Sequence, residues 1–161
     1  MQRKRNRLVQ FDYSSYATYF ITICTSERKN YFWENAVALI TDFKDVELSM
    51  CGKTVENAIN KLSQIYPLIS VEHYVIMPDH VHLLLRYCAD ENGRALHAPT
   101  LSHVIGHLKG YVTKQIGYSV WQKSFFDHIV RNKEDYDEHV KYITENPMRW
   151  CYKHFGVDEQ Y

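Results

Sequence analysis

The 161-residue chain carries no excess charge of either sign, since 19 Lys+Arg face 19 Asp+Glu. A neutral chain exerts no global pull on a polyanion, so any nucleic-acid contact has to come from local clusters. No apolar run approaches the ~18 residues that a membrane span needs. The basic start MQRKRNRLVQF has no apolar stretch behind it, which predicts no secretory signal. Cysteine is sparse: Cys24, Cys51, Cys88 and Cys151 form no C-x-x-C pair. That scatter argues against a zinc knuckle or a disulfide framework and fits a reducing, cytoplasmic location. Internal repeats and low-complexity tracts are also missing. With 45% hydrophobic and 24% charged residues, disordered and collagen-like classes are excluded. The length suits one domain over 1–161, with a core of about 16–150, a short basic N-terminal arm and a C-terminal tail.

What the chain has in plenty is 13 Tyr and 9 His, side chains suited to stacking surfaces, metal ligation or the edge of a core. Tyr16 to Cys24 is dense in aromatic and β-branched residues and predicts a buried first strand. Val37–Ile40 and Val46–Leu48 predict an inserted hairpin. From about Thr54 the apolar period becomes helical through Val55, Ala58, Ile59, Leu62 and Ile65, ending before Pro67. Ile69 to Met77 alternates, which puts Val71, His73, Val75 and Met77 on one face. Pro78-Asp79 supplies a turn, and His80 to Tyr87 predicts the antiparallel neighbour. Residues 89–99 read as a polar loop. Thr100 caps a helix with inner residues Leu101, Val104, Ile105, Leu108 and Val112, and Gly117 ends it. Phe125 to Val130 predicts a strand. Asn132 caps a last helix with Glu134 and Asp135 in its first turn, stopped by Pro147. The order predicts an α+β, ferredoxin-like βαββαβ fold. Its antiparallel sheet has two helices on one face, the other face open, and an extra C-terminal helix.

Two constellations in this order can carry chemistry. In His80-Val81-His82 the period of two sends both imidazoles to one sheet face while Val81, Leu83 and Leu85 enter the other. With the helices over the apolar face, the histidines belong on the open one, either as ligands of a common cation or as two half-exposed strand residues. On the last helix, Tyr136, Val140, Ile143 and Pro147 form an apolar stripe, and Asp135, His139, Tyr142 and Asn146 form the stripe beside it. Tyr142 and Asn146 stand one turn apart. Asp135 and His139 read as a solvated polar face, with the helix dipole reason enough for Asp135.

A tyrosine is a poor nucleophile at neutral pH because a phenol ionises near 10. A cation nearby favours the phenolate and offsets charge developing on an attacked phosphate. Neutral ligands leave that cation its full pull on an anionic substrate, so two histidines, an amide and a tyrosine suit attack on a phosphodiester.

The segment Tyr74 to Leu85, YVIMPDHVHLLL, resembles the HUH strand of single-tyrosine transposases in the HUH endonuclease superfamily. A second stretch runs from Trp121-Gln122 through Phe125-Phe126-Asp127-His128-Ile129-Val130-Arg131-Asn132, Asp135-Tyr136 and His139 to Ile143, and ends at Asn146-Pro147. It is similar to the C-terminal half of the REP-associated tyrosine transposases, which process repetitive extragenic palindromes. The resemblance implies a nuclease domain acting on single-stranded DNA, often beside a hairpin. In it Tyr142 matches the nucleophile, His80 and His82 match metal ligands, and Asn146 matches the third ligand. The implied reaction is transesterification through a 5′-phosphotyrosine. Some relatives complete the site in trans as dimers, whereas in the palindrome-processing branch a monomer can suffice; a monomer or a homodimer is expected here, the monomer being favoured by the match to that branch.

Imidazoles alone would select zinc, copper, iron or nickel; the resemblance implies a divalent Mg²⁺ or Mn²⁺ completed by water and phosphate oxygens. DNA contact would fall to the N-terminal arm, Lys109 with Lys114, Lys123, Arg131 and Arg149, aided by aromatic stacking. Trp121 is placed where it could stack a base, although a Trp just before a strand ordinarily packs in the core. Two other readings remain: a structured-DNA-binding module that does not cut, and a phosphoesterase whose nucleophile is metal-bound water.

Overall fold

The strand TYFITIC, Thr18–Cys24 (β1), sits inside the sheet, where β-branched and aromatic side chains pack well on both faces. The structure is a computed structural model that describes residues 17–34, 46–88 and 98–155. Most of the expected inserted hairpin, most of the 89–99 loop, the basic arm and the chain's last residues lie outside them. After β1 come the helix Met50–Ile65 (α1), strands Ile69–Ile76 (β2) and His80–Tyr87 (β3), helix Leu101–Ile116 (α2), strand Phe126–Val130 (β4) and helix Lys133–Phe155 (α3). The strands form one antiparallel sheet in the order β2-β3-β1-β4. The fold is therefore α+β, in the expected succession of strands and helices.

Register divides the sheet into two faces. Ile21 lies opposite Leu83 and Ile23 opposite Val81, and all four are buried in the main core with the inner stripes of α1 and α2. Phe20, Thr22 and Cys24 lie opposite Leu84, His82 and His80 on the other face. The expected strict alternation of β2 does not hold. Val71 pairs with Leu85 but His73 pairs with Leu84, so Glu72 is one residue too many, a β-bulge. The bulge puts Val71 on the helix face with Tyr74, and turns His73 and Val75 to the face of His82. Arg86 grips the bulged Glu72 through its Nε at 2.9 Å.

Both capped helices form as their end residues dictate. Thr100 accepts from the His103 N–H, and Gly117 ends α2 at φ 87°, a left-handed conformation suited to glycine. Helix α1 begins a turn before the expected Thr54 because Ser49 accepts from the Gly52 N–H. A Cβ on Gly52 would stand 2.2 Å from the Phe32 carbonyl oxygen, so the glycine permits a close crossing rather than a turn.

Helix α3 departs from expectation in three ways. Pro147 does not stop it, and α3 continues to Phe155. Proline forfeits one backbone hydrogen bond and costs about 3 kcal/mol inside a helix. Beyond it Trp150 packs on Trp33 with ring centroids 5.2 Å apart, and Cys151 is buried in the core. Burying a large apolar side chain yields about 1.5–3 kcal/mol, enough to offset much of that cost. Nor is the second sheet face open, since α3 lies against β2 and β3 there. Leu84 and Ile143, both outside the main core, are buried. Asp135 and His139 are half-buried and bonded rather than a solvated polar face.

Candidate active site

His80 and His82 leave β3 on the face that α3 covers, with ring centroids 4.6 Å apart. They are 8% and 4% exposed, far more buried than half-exposed strand residues would be. Tyr142 descends from α3 to meet them, its ring centroid 5.1 Å from that of His82 at an interplanar angle of 70°. Asn146, one turn on, is buried beside the same cleft. The four residues singled out in the sequence thus line one cleft of about 610 Å³ within one chain. Tyr142 stays 41% exposed, open to a substrate entering that cleft.

Each imidazole is held by one ring nitrogen. His80 Nδ1 lies 2.6 Å from Asp79 Oδ1, and the other Asp79 oxygen takes Arg28 Nε at 2.8 Å. Burial raises the Asp79 carboxyl, but the hydrogen bond and charge of His80 and the Arg28 guanidinium outweigh it and hold it below the ordinary range. Thr22 Oγ1 is 2.8 Å from His82 Nδ1, and Phe20 stacks on the His82 ring at 5.1 Å. Burial, then the charges of His80, Arg28 and His139, push the His82 pKa down to about 3, so its imidazole is neutral at physiological pH. Arg28 reaches in from a short 3-10 turn, Ser26–Arg28, where Glu27 and Arg28 have φ of 54° and 55°. Such left-handed backbone is costly for residues other than glycine.

Two atoms in this site are left over. His82 Nε2 and Asn146 Nδ2 are buried without a hydrogen-bond partner among the described residues. Buried polar atoms are ordinarily paired. An orphaned imidazole nitrogen beside an amide, with a second imidazole fixed through its Nδ1, is a donor set that fits a divalent cation. The amide's two ends are exchangeable by rotation, which lets Asn146 present oxygen.

A second cluster lies outside this cleft. His128, Asp135 and His139 bring ligand-type atoms within 4.8 Å of one another. Those atoms already satisfy each other: His128 Nε2 is 2.9 Å from Asp135 Oδ2, and His139 Nδ1 is 3.1 Å from Asp135 Oδ1.

Asp79, read from the sequence only as part of a turn, and Arg28 were missed. Adjacency to His80 was the available signal for Asp79, and a left-handed turn leaves none for Arg28. Among the expected DNA-contacting cations, Arg149 lines the cleft. Lys109 instead donates to the Gln122 and Ser124 carbonyls at 2.8 and 2.9 Å. Trp121 is buried against Phe32, so it packs rather than stacks a base.

No protein-family model matches the chain. A Haemophilus influenzae protein of unassigned function is 26% identical over 97% of this chain and 94% of its own length. A second protein of that organism, provisionally named a REP-associated tyrosine transposase, is 25% identical over 93% of this chain and 81% of its own. A REP-associated tyrosine transposase of Escherichia coli is 25% identical over 59% of this chain and 53% of its own. Among solved structures, a REP-associated tyrosine transposase bound to a REP hairpin superposes with a TM-score of 0.59 at 22% identity. That match covers 89% of this chain and 74% of the other. The family resemblance carried by the two sequence stretches is borne out by these relatives.

Proposed function

We propose, on the premise of this kinship with the REP-associated tyrosine transposases, that the chain cuts and rejoins single-stranded DNA beside a hairpin through a covalent tyrosine link. The observation that carries this is the meeting of the Tyr142 phenol with the His80–His82 pair in one cleft, where a buried imidazole nitrogen and a buried amide lack partners. The hairpin in the similar solved structure supports the choice of substrate.

In this mechanism Tyr142 Oη attacks the scissile phosphorus and the P–O3′ bond breaks. The phenol's proton ends on the departing 3′-hydroxyl, and the phosphate stays on Tyr142 as a 5′-phosphotyrosine. One phosphodiester replaces another, so a later hydroxyl reverses the step with no nucleotide cofactor. His80 and His82 would hold the cation through their Nε2 atoms and Asn146 through its amide oxygen. When bound, Mg²⁺ or Mn²⁺ would supply Lewis-acid stabilisation of the attacked phosphate. Asp79 Oδ1 would accept a hydrogen bond from the His80 Nδ1–H, and Thr22 Oγ1 one from the His82 Nδ1–H. In each ring the Nε2 atom is then left to carry the lone pair that a cation needs. All of this belongs to a single domain over 1–161 working as a monomer in a cytoplasmic setting. Among the described residues no helix is long and apolar enough to cross a membrane.

The test is incubation with labelled hairpin-bearing single-stranded DNA and Mg²⁺ or Mn²⁺, followed by denaturing electrophoresis. A covalent adduct that disappears in Tyr142→Phe is expected. Cleavage that survives Tyr142→Phe without an adduct would assign the nucleophile to water. Tight binding with no cleavage under any divalent ion would make the chain a binding module.

A further inference from the structure

Phe126 opens the edge strand β4, directly opposite Thr22 in register, and its side chain is 51% exposed while that of its neighbour Phe125 is buried. Phenylalanine has no polar tip to keep in water, so its exposure needs a reason when the next residue is a buried phenylalanine. Few large hydrophobic side chains among the described residues are so exposed, and two of them, Phe126 and Tyr142, line the same cleft. The segment of α3 beyond Pro147 brings Arg149 and Lys153 to that cleft. A volume of about 610 Å³ falls within the range of pockets that take a ligand the size of one nucleotide. A flat aromatic face, two cations and a phenol around one such space match the parts of a nucleotide, namely a π-surface, anionic phosphates and a phosphorus to be attacked.

We propose that Phe126 is the platform on which the nucleobase adjoining the attacked phosphate stacks, with Arg149 and Lys153 contacting that nucleotide's phosphates. The proposal rests on the reading of Tyr142 as the nucleophile and adds a base-binding subsite to it. Stacking is indifferent to base identity, so Phe126 positions the strand without reading its sequence. Among the described residues, the face that Phe126 shares with Thr22 and His82 lies on the side away from α1 and α2. Arg149 is held by Glu145 at 2.7 Å, an exposed i, i+4 pair that a phosphate can replace at small cost.

The experiment measures binding of a fluorescent hairpin-bearing single strand by anisotropy, in EDTA and in the Tyr142→Phe background, so that neither metal nor covalent capture contributes. Phe126→Ala and Phe126→Leu should each weaken binding roughly tenfold, because leucine restores apolar bulk but no π-face. Phe126→Trp should bind at least as tightly as the parent. Arg149→Gln and Lys153→Gln should each make the logarithm of affinity less steep in the logarithm of salt, by about 0.7. Removing the base on one side of the cleaved phosphate should weaken the parent as much as Phe126→Ala does, with no further loss in the variant. Binding within twofold of the parent for both Phe126→Ala and Phe126→Leu, or abasic substitutions without effect on either side, would overturn the subsite. If wild-type protein forms no adduct under any divalent ion, the nucleophile reading fails instead, a result that leaves the metal-free stacking measurements to be judged separately.

Discussion

The Asp79 carboxylate lies 2.6 Å from His80 Nδ1 and, through its second oxygen, 2.8 Å from Arg28 Nε, so one side chain from the turn between β2 and β3 fixes two groups of the cleft. A carboxylate behind a ligating imidazole sets its tautomer and raises its basicity. Asp79→Ala should weaken Mn²⁺ binding about 10- to 100-fold, read by the electron paramagnetic resonance of free Mn²⁺. Asp79→Asn, which keeps an acceptor but loses the charge, should fall between wild type and Asp79→Ala. Equal affinity in all three proteins would show that Asp79 does not act on His80 in this way.

Lys109 was expected to face DNA, yet its ammonium donates to two carbonyls of the segment leading into β4. Burial pulls its pKa below the ordinary lysine value, and the two acceptors keep the charge in place. Lys109→Ala strands both carbonyls and should cost about 1–3 kcal/mol in urea unfolding. Hairpin affinity of the folded variant should stay unchanged; a specific loss there would restore the DNA-contact role.

Asp135 gives a pH signature at the other end of α3. Burial raises its carboxyl, but the hydrogen bond from His128, the Arg131 backbone N–H and the charges of His128 and His139 prevail, leaving the pKa below the ordinary value. A depressed folded-state pKa stabilises the fold fully above the unfolded value of about 3.9, and the gain is lost as pH falls through the folded value. Wild type should therefore exceed Asp135→Asn in thermal stability at neutral pH, with the gap narrowing below about pH 4. A gap that is constant across this range would mean that the charge of Asp135 contributes nothing.

Gly52 is the most demanding small residue of α1. Alanine is ordinarily the better helix former by about 1 kcal/mol, but its methyl would meet the Phe32 carbonyl at 2.2 Å. Overpacking against backbone costs about 1–3 kcal/mol or more, so Gly52→Ala should lower Tm by several degrees in calorimetry. A rise in Tm would show that the Phe32 segment yields readily.

Much of this architecture was legible because local chemistry and global position agree. Thr100 and Gly117 bracket α2 as caps do, and the period of two in β3 separates the histidines from Val81, Leu83 and Leu85. The convergence of His80, His82, Tyr142 and Asn146 was legible from two periodicities together with the resemblance. What escaped depends on tertiary contact. The Glu72 bulge inverts a face without any mark in the sequence, packing of Trp150 and burial of Cys151 carry a helix through proline, and the left-handed turn that delivers Arg28 is set by its surroundings.

The helix that carries the phenol is docked on the sheet that carries the imidazoles, and both belong to one polypeptide. Bringing them together therefore requires no encounter between molecules and no loss of translational freedom beyond folding itself. If the proposed function holds, adduct formation per molecule should then be indifferent to dilution. An arrangement that borrowed the helix from a neighbour would fade once copies became too scarce to pair.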